Sequence, residues 1–261
     1  MTRVLVPSPQ KIGRWLETVE RTWLGWSLPP ARRAIADARW QPDDPQRYCG
    51  LCGVSVGRDE VTPRGCASCR GTSPATDRLI RLGPYGDPLG EWVKAIKYRQ
   101  WDQMGRELGR RLGKSISAAL AGTAGGGGDA YVVVPMPMPW QRRLYRGIDH
   151  ARVIAGGVAA ELGAPLLALL ARANGPPQVS LRATQRSRNA GRMRRKRLAH
   201  LLPLDGHTVI LVDDVRTSGA SLEAAAKLIR RLGVARVVAG VLAVADPVLG
   251  PRSAGRVSRA S

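Results

Sequence analysis

The chain has 261 residues, 44% of them hydrophobic, with a formal net charge of +21 and a pI of about 11.3. The apolar content supports a sizeable core, and no apolar run approaches the roughly 20 residues of a membrane-spanning helix. The charge is extreme for an enzyme of small metabolites and predicts attraction to polyanions, of which nucleic acid is the commonest; a bias toward Arg, in a chain rich in Ala and Gly and without Phe, explains only part of it, because such a bias does not remove acids.

Met1 to Gln10 lack the charged-then-apolar layout of a signal peptide, so the expected location is the cytoplasm. Over residues 11–26, Ile12, Trp15, Leu16, Val19, Trp23 and Leu24 share one helical face. They belong to an expected N-terminal helical extension over residues 1–46. Residues 27–47 read as loop, with a helical turn near Arg32–Trp40.

All four cysteines follow, as Cys49-Gly50-Leu51-Cys52 and Cys66-Ala67-Ser68-Cys69, with thirteen residues between the pairs. A tetrahedral Zn²⁺ needs four thiolates at about 2.3 Å, and two tight knuckles deliver two each. Gly50, Gly53, Gly65 and Gly71 suit the turns. Two disulfides or a redox pair are the alternatives; a reducing cytosol and the paired spacing disfavour both. Residues 47–75 therefore read as a structural zinc ribbon with Cys49, Cys52, Cys66 and Cys69 as ligands. It is too small for a core of its own, so the metal would supply much of its folding energy. With every position taken by Cys, no open position remains for catalysis.

Residues 79–100 read as strand, turn and helix. Residues 103–120 read as an amphipathic helix, with Met104, Leu108, Leu112 and Ile116 at spacing four. The four consecutive glycines after Ala121 mark a linker or surface loop. Tyr131 to Val134 form a second apolar strand, ending in a stiff turn with Pro135, Pro137 and Pro139. Gln141, Arg142, Arg143, Arg146 and Gly147 then lead into a helix through Ala151, Ile154, Val158 and Leu162. Arg forks suit a diphosphate, which makes Arg142, Arg143 and Arg146 candidates for one; the alternative is a solvated basic helix start.

Leu166 to Leu170 fit either a short strand or a helix end. Gln178 to Arg197 is polar, and no acid interrupts the cations from Arg182 to Arg197. Such a run reads as a solvated, mobile segment. Here it precedes the strand at Val209, so Arg186, Arg188, Asn189, Arg192, Arg194 and Arg195 are candidates for a lid over a bound polyanion or for a nucleic-acid contact. Residues 246–261 read as a disordered basic tail.

Val209 to Val212 form a strand buried on both faces, followed by Asp213 and Asp214 at its C-terminal end. Thr217-Ser218-Gly219-Ala220-Ser221 comes next, then a helix with Leu222, Ala225, Ala226, Ile229 and Leu232 on one face. Small residues let backbone N–H groups approach an anion, and the helix adds the positive end of its dipole. The hydroxyls of Thr217, Ser218 and Ser221 add donors. Two adjacent acids suit ribose hydroxyls, a Mg²⁺, or both. The run reads as a sugar-phosphate site. Gly233 ends the helix, and Val237 to Val244 form a third buried strand. Strands alternating with helices predict a doubly wound parallel sheet over residues 80–245.

The run from Val209 to Ser221 resembles the phosphoribosyl diphosphate (PRPP) motif of type I phosphoribosyltransferases. It departs at Ser218, which keeps a hydroxyl, and at Arg216, where that family has an aliphatic residue. Together with the four-cysteine ribbon, Pro84-Tyr85-Gly86 before Lys94, Lys97 and Tyr98, Arg143 with Arg146-Gly147, and Gln178, Leu181, Arg186 and Asn189, it resembles the ComF family of phosphoribosyltransferase-like proteins. The resemblance covers about residues 47–245. It implies an α/β fold, a type I phosphoribosyltransferase-like parallel sheet flanked by helices over residues 79–245, with the ribbon before it. It also implies that the Thr217–Ser221 loop holds the 5′-phosphate of PRPP or a related phosphoribosyl ligand. Asp213 and Asp214 would hold the ribose, and Mg²⁺ would bridge it to the diphosphate. A link to natural competence follows, with single-stranded DNA and competence or recombination proteins as partners. Asp149 and His150 stand where the family has Asn and Gln, so any role of that pair is in doubt here. His150 is a weak candidate for a catalytic base. The competing reading is a single-stranded-DNA-binding accessory protein, in which Trp40 and Tyr48 either stack bases or act as buried anchors.

Overall fold

The structure, a computed structural model, describes residues 28–57, 60, 62, 65–121, 130–139, 147–172 and 193–245. The chain forms two compact units, Met1–Trp40 and Gln41–Ser261. In the first, helix α1 (Ala31–Asp37) occupies the stretch expected to hold a helical turn. The amphipathic run at 11–26, the glycine linker and the C-terminal tail lie outside the described residues.

In the second unit the three apolar runs become strands because helices cover both faces and leave no polar side to a sheet. Strands β1 (Arg78–Pro84), β2 (Tyr131–Pro135), β5 (Thr208–Arg216) and β6 (Arg236–Val244) form one parallel sheet in the order β1-β6-β5-β2. Val209, Leu211, Val237, Ala239 and Val241 turn one face toward helix α5 (Ala220–Arg230) and its Leu222, Ala225, Ala226 and Ile229. Helix α3 (Asp102–Ala121) covers the opposite face, where Ile116 and Leu112 approach Gly240. Helix α4 (His150–Leu162) packs beside α3 and against β2 and β5, and helix α2 (Leu89–Tyr98) lies against α3 and β6.

The pairing of α3 with α4 has a sequence cause. Gly105, Gly109 and Gly113 recur every fourth residue and present one bare stripe. A methyl on Gly109 would overlap the carbonyl oxygen of Ile154, and one on Gly157 would overlap that of Arg106.

Two stretches are settled by pairing, the first left open between strand and helix end and the second read as solvated. Leu166 bridges Val133 in parallel, and the chain then enters strand β3 (Leu170–Arg172). The Arg-rich segment, read as solvated and mobile or as a lid or nucleic-acid contact, ends in strand β4 (Met193–Arg195), paired antiparallel with β3. Met193 is buried in the core, and the 3₁₀ turn Arg197–Leu201 that follows buries Ala199. One apolar residue at each place supplies burial that charge density alone does not reveal.

The cysteine module is fastened to the sheet from two sides. Arg81 of β1, 1% exposed, donates to the Gly53 carbonyl (2.7 Å), the Ser55 hydroxyl (2.8 Å) and Asp43 Oδ2 (2.8 Å). Its guanidinium lies 5.0 Å from the centre of the Tyr48 ring. Downstream, Arg230 at the end of α5 donates to the Ala75 carbonyl and to Asp77 Oδ1, both at 2.6 Å, and Glu223 Oε2 accepts from the Ala75 amide at 2.8 Å. The segment between module and β1 is thus clamped to the helix that follows β5.

Candidate phosphate loop and metal centre

The loop after β5 turns through Gly219 at φ 77°, a left-handed value that only Gly adopts at little cost. The Gly219 carbonyl accepts from the Glu223 amide at 2.9 Å and starts the ladder of α5. The amides from Ser218 to Ser221 have no protein acceptor among the described residues. A strand end, a turn of small residues and a helix start therefore leave a group of N–H donors facing outward, as an anion requires.

Strand alternation divides the acids. Asp214 points to the face covered by α3 and α4 and is buried, 6% exposed. Its Oδ2 lies 2.6 Å from Lys97 Nζ of α2 and 3.2 Å from His150 Nε2 at the start of α4. Asp213 points the other way and is half-buried. Burial first, and then the Asp214 charge, push the Asp213 carboxyl up to about 8, against the pull of Lys97. An acid with a raised pKa is penalised for ionising only in the folded state, so stability falls as pH rises from about 4, its ordinary value of 3.8, to about 8. Asp213→Asn removes that loss. Because water reaches the half-buried side chain, the variant should gain about 2 kcal/mol over wild type between pH 4 and pH 8, well short of the full shift. Denaturation midpoints across that range test this; a gap independent of pH rejects it.

The four cysteines converge. All are buried, and their sulfurs lie within 4.8 Å of one another. Three of the separations are 3.5 Å (Cys52 to Cys66), 3.7 Å (Cys49 to Cys69) and 3.9 Å (Cys66 to Cys69). A tetrahedron with 2.3 Å metal–sulfur bonds sets sulfurs roughly 3.8 Å apart, so the cluster could hold a metal and fits Zn²⁺. Burial raises the Cys52 and Cys69 thiols. Burial opposes ionisation of Cys49 too, but amides of Cys52, Leu51 and Cys66 aimed at its sulfur outweigh it and bring the thiol to about 7. A dication bound there would let four thiolates share one pocket.

The model of the phosphoribosyl transferase domain family matches residues 149–256. Competence protein F of Haemophilus influenzae is 27% identical over 197 residues, 73% of this chain and 81% of the relative. The DNA utilization protein YhgH of Salmonella typhi is 28% identical over 194 residues, and that of Escherichia coli K12 is 26% identical over the same length; each covers 72% of this chain and 80% of the relative. The chain is similar to ComF-family proteins over most of its length. Its fold is a type I phosphoribosyltransferase-like parallel sheet flanked by helices, with a buried four-cysteine module ahead of it.

The structure brings Asp213, Thr217, Ser218, Gly219, Ala220 and Ser221 together at one end of β5. Arg142, Arg143 and Arg146 lie outside the described residues, as do Arg186, Arg188, Asn189 and Arg192. Arg194 and Arg195 sit on β4, where the Arg195 guanidinium donates to the Arg231 carbonyl at 3.1 Å. Asp149 and His150, the departure from the family pattern, acquire local tasks. Asp149 caps α4, accepting from the Arg152 amide at 3.1 Å, and His150 meets Asp214. Tyr48 is 4% exposed and sits under Arg81, so it is an anchor and is closed to base stacking. Sequence reasoning missed the partnership of Lys97 with Asp214, because nothing in local spacing joins positions more than a hundred residues apart. No helix among the described residues is long and apolar enough to cross a membrane.

Proposed function

We propose that this protein binds a phosphoribosyl ligand, with PRPP as its first candidate, and transfers the phosphoribosyl group to an acceptor. The observation that carries the reading is the set of amides from Ser218 to Ser221, left without protein acceptors beside a half-buried Asp213. The loop takes the 5′-phosphate, with the Thr217, Ser218 and Ser221 hydroxyls as further donors. Asp213 takes the ribose hydroxyls. Asp214, already countered by Lys97 and His150, orients the strand end and supports its neighbour. Mg²⁺ fits a carboxylate, sugar hydroxyls and diphosphate oxygens; bound there, it would neutralise the leaving diphosphate. Arg142, Arg143 and Arg146 are the cations proposed for that diphosphate. The oxocarbenium-like transition state calls for positioning and charge stabilisation more than a covalent intermediate. In this reading His150 is engaged with Asp214 and serves as a positioning group. Four thiolates with matched spacing favour Zn²⁺ as the structural metal.

Titration calorimetry with PRPP and Mg²⁺ tests the proposal. Wild type should give a saturable heat, and Asp213→Asn should weaken binding at least about tenfold, the worth of one or two hydrogen bonds. Identical isotherms for wild type and the Asp213→Asn/Asp214→Asn double variant would remove the reading.

A second reading rests on the net charge of +21 and on relatives named for competence and for DNA utilization. Single-stranded DNA would be the polyanion, held through Arg194 and Arg195 of β4 and the Arg186, Arg188, Asn189 and Arg192 segment before it. The protein would then work in the cytoplasm with competence or recombination proteins. Affinity for single-stranded DNA should fall linearly on a log–log salt plot, with a slope of about −0.7 per phosphate contacted. A flat plot excludes it.

A further inference from the structure

The residue where this chain departs from the phosphate-loop pattern is Arg216. Its guanidinium folds back over the loop, with Nε 3.0 Å and Nη2 3.2 Å from the place a Cβ on Gly219 would take. It is half-buried and has no acceptor among the described residues. A half-buried cation without a counter-charge is costly and points to an anion as its partner. Arg216 faces a cavity of about 470 Å³ between the phosphate loop and the cysteine module, within the range of small-molecule sites. Ser218 and Gly219 line one wall; Ser68, Thr72 and Ser73 line the other. Glu223 also borders the cavity, but its carboxylate is taken up by the Ala75 amide at 2.8 Å and Lys227 at 3.2 Å. The clamp through Arg230, Ala75 and Asp77 keeps the two walls in register.

We propose that this cavity is a second subsite, which takes a nucleotide attached to the ligand through the loop-held phosphate, with Arg216 as its cation and the hydroxyls of the module as donors. The inference rests on the phosphoribosyl reading of the loop. It changes the ligand from a free sugar phosphate to a ribose 5′-phosphate continued through its phosphate by a further nucleoside. A nucleic-acid strand and a pyrophosphate-linked dinucleotide share that chemistry, and the net charge of +21 favours the strand.

Equilibrium binding of three probes to the full chain tests it: ribose 5-phosphate, the uridine dinucleotide pUpU, and ADP-ribose. At least one extended probe should bind ten times more tightly than ribose 5-phosphate, and the better one identifies the source. Arg216→Gln should bring that ratio near one. Ser73→Trp, at an exposed rim position where it fills the cavity without touching the core, should do the same. If ribose 5-phosphate binds and neither extended probe binds better, the subsite is refuted while the phosphoribosyl reading stands. A ratio that survives both substitutions also refutes it, as does an Arg216→Gln loss equal for all probes, which would assign Arg216 to the loop-held phosphate. If ribose 5-phosphate itself fails to bind, the phosphoribosyl reading falls and the subsite falls with it.

Discussion

Stripping the metal with a chelator should lower the thermal midpoint by roughly 10 °C, and Cys52→Ser should reproduce most of that fall. Four buried sulfurs within 4.8 Å have no packing alternative to a cation once ionised, and a module of this size has little core of its own. The damage should not stop at the module. Arg81 is 1% exposed and two of its three acceptors, the Gly53 carbonyl and the Ser55 hydroxyl, belong to the cysteine module. A metal-free module that loosens leaves this guanidinium buried with Asp43 alone. Breaking a buried charge network costs about 3–5 kcal/mol, which for a chain of this size gives the shift in midpoint stated. Because the module also walls the cavity beside Gly219, hydrogen exchange should rise at residues 217–222 as well as at 48–56. A metal content near zero in the purified protein, or a chelated form that melts at the wild-type temperature, would remove the metal centre from the fold.

Gly109→Val should destabilise the protein by about 3 kcal/mol and loosen the acid pair. The added carbons overlap the Ile154 carbonyl oxygen and press on Gly157, and a packed interior answers overlap by moving backbone. Helix α4 has to shift away from α3. Its first residue, His150, is the one that sits 3.2 Å from Asp214, so separation of the helices removes one of two partners from a buried carboxylate. If the proposed PRPP site holds, the variant should therefore lose affinity for PRPP although position 109 is far in sequence from the loop. Ala at the half-buried Gly156, where an added Cβ meets nothing within 4 Å, is the matched control and should be neutral or slightly stabilising. Equal midpoints for Gly109→Val and wild type would show that the helices are not held at this spacing.

Strand β5, the loop behind it and the pair of CxxC knuckles were legible because their chemistry is local. Four apolar residues followed by two acids and five small ones leave few conformations that satisfy both backbone and charge. Helices α2 to α5 were legible for the same reason, through apolar residues at helical spacing. The β3–β4 pair was not, because its pairing joins residues more than twenty positions apart, and one buried Met193 outweighs the charges around it.

By itself, then, the sequence determined the kind of fold, the strand that ends at a turn of small residues, and the four cysteines that could hold a metal. Which acid is buried, what Lys97 and His150 do, where Arg216 points and what Tyr48 supports were decided only by tertiary structure. The reason is geometric. Periodicity and motif chemistry act between neighbours in the chain, whereas the partner of a buried charge is chosen by which elements the sheet brings side by side.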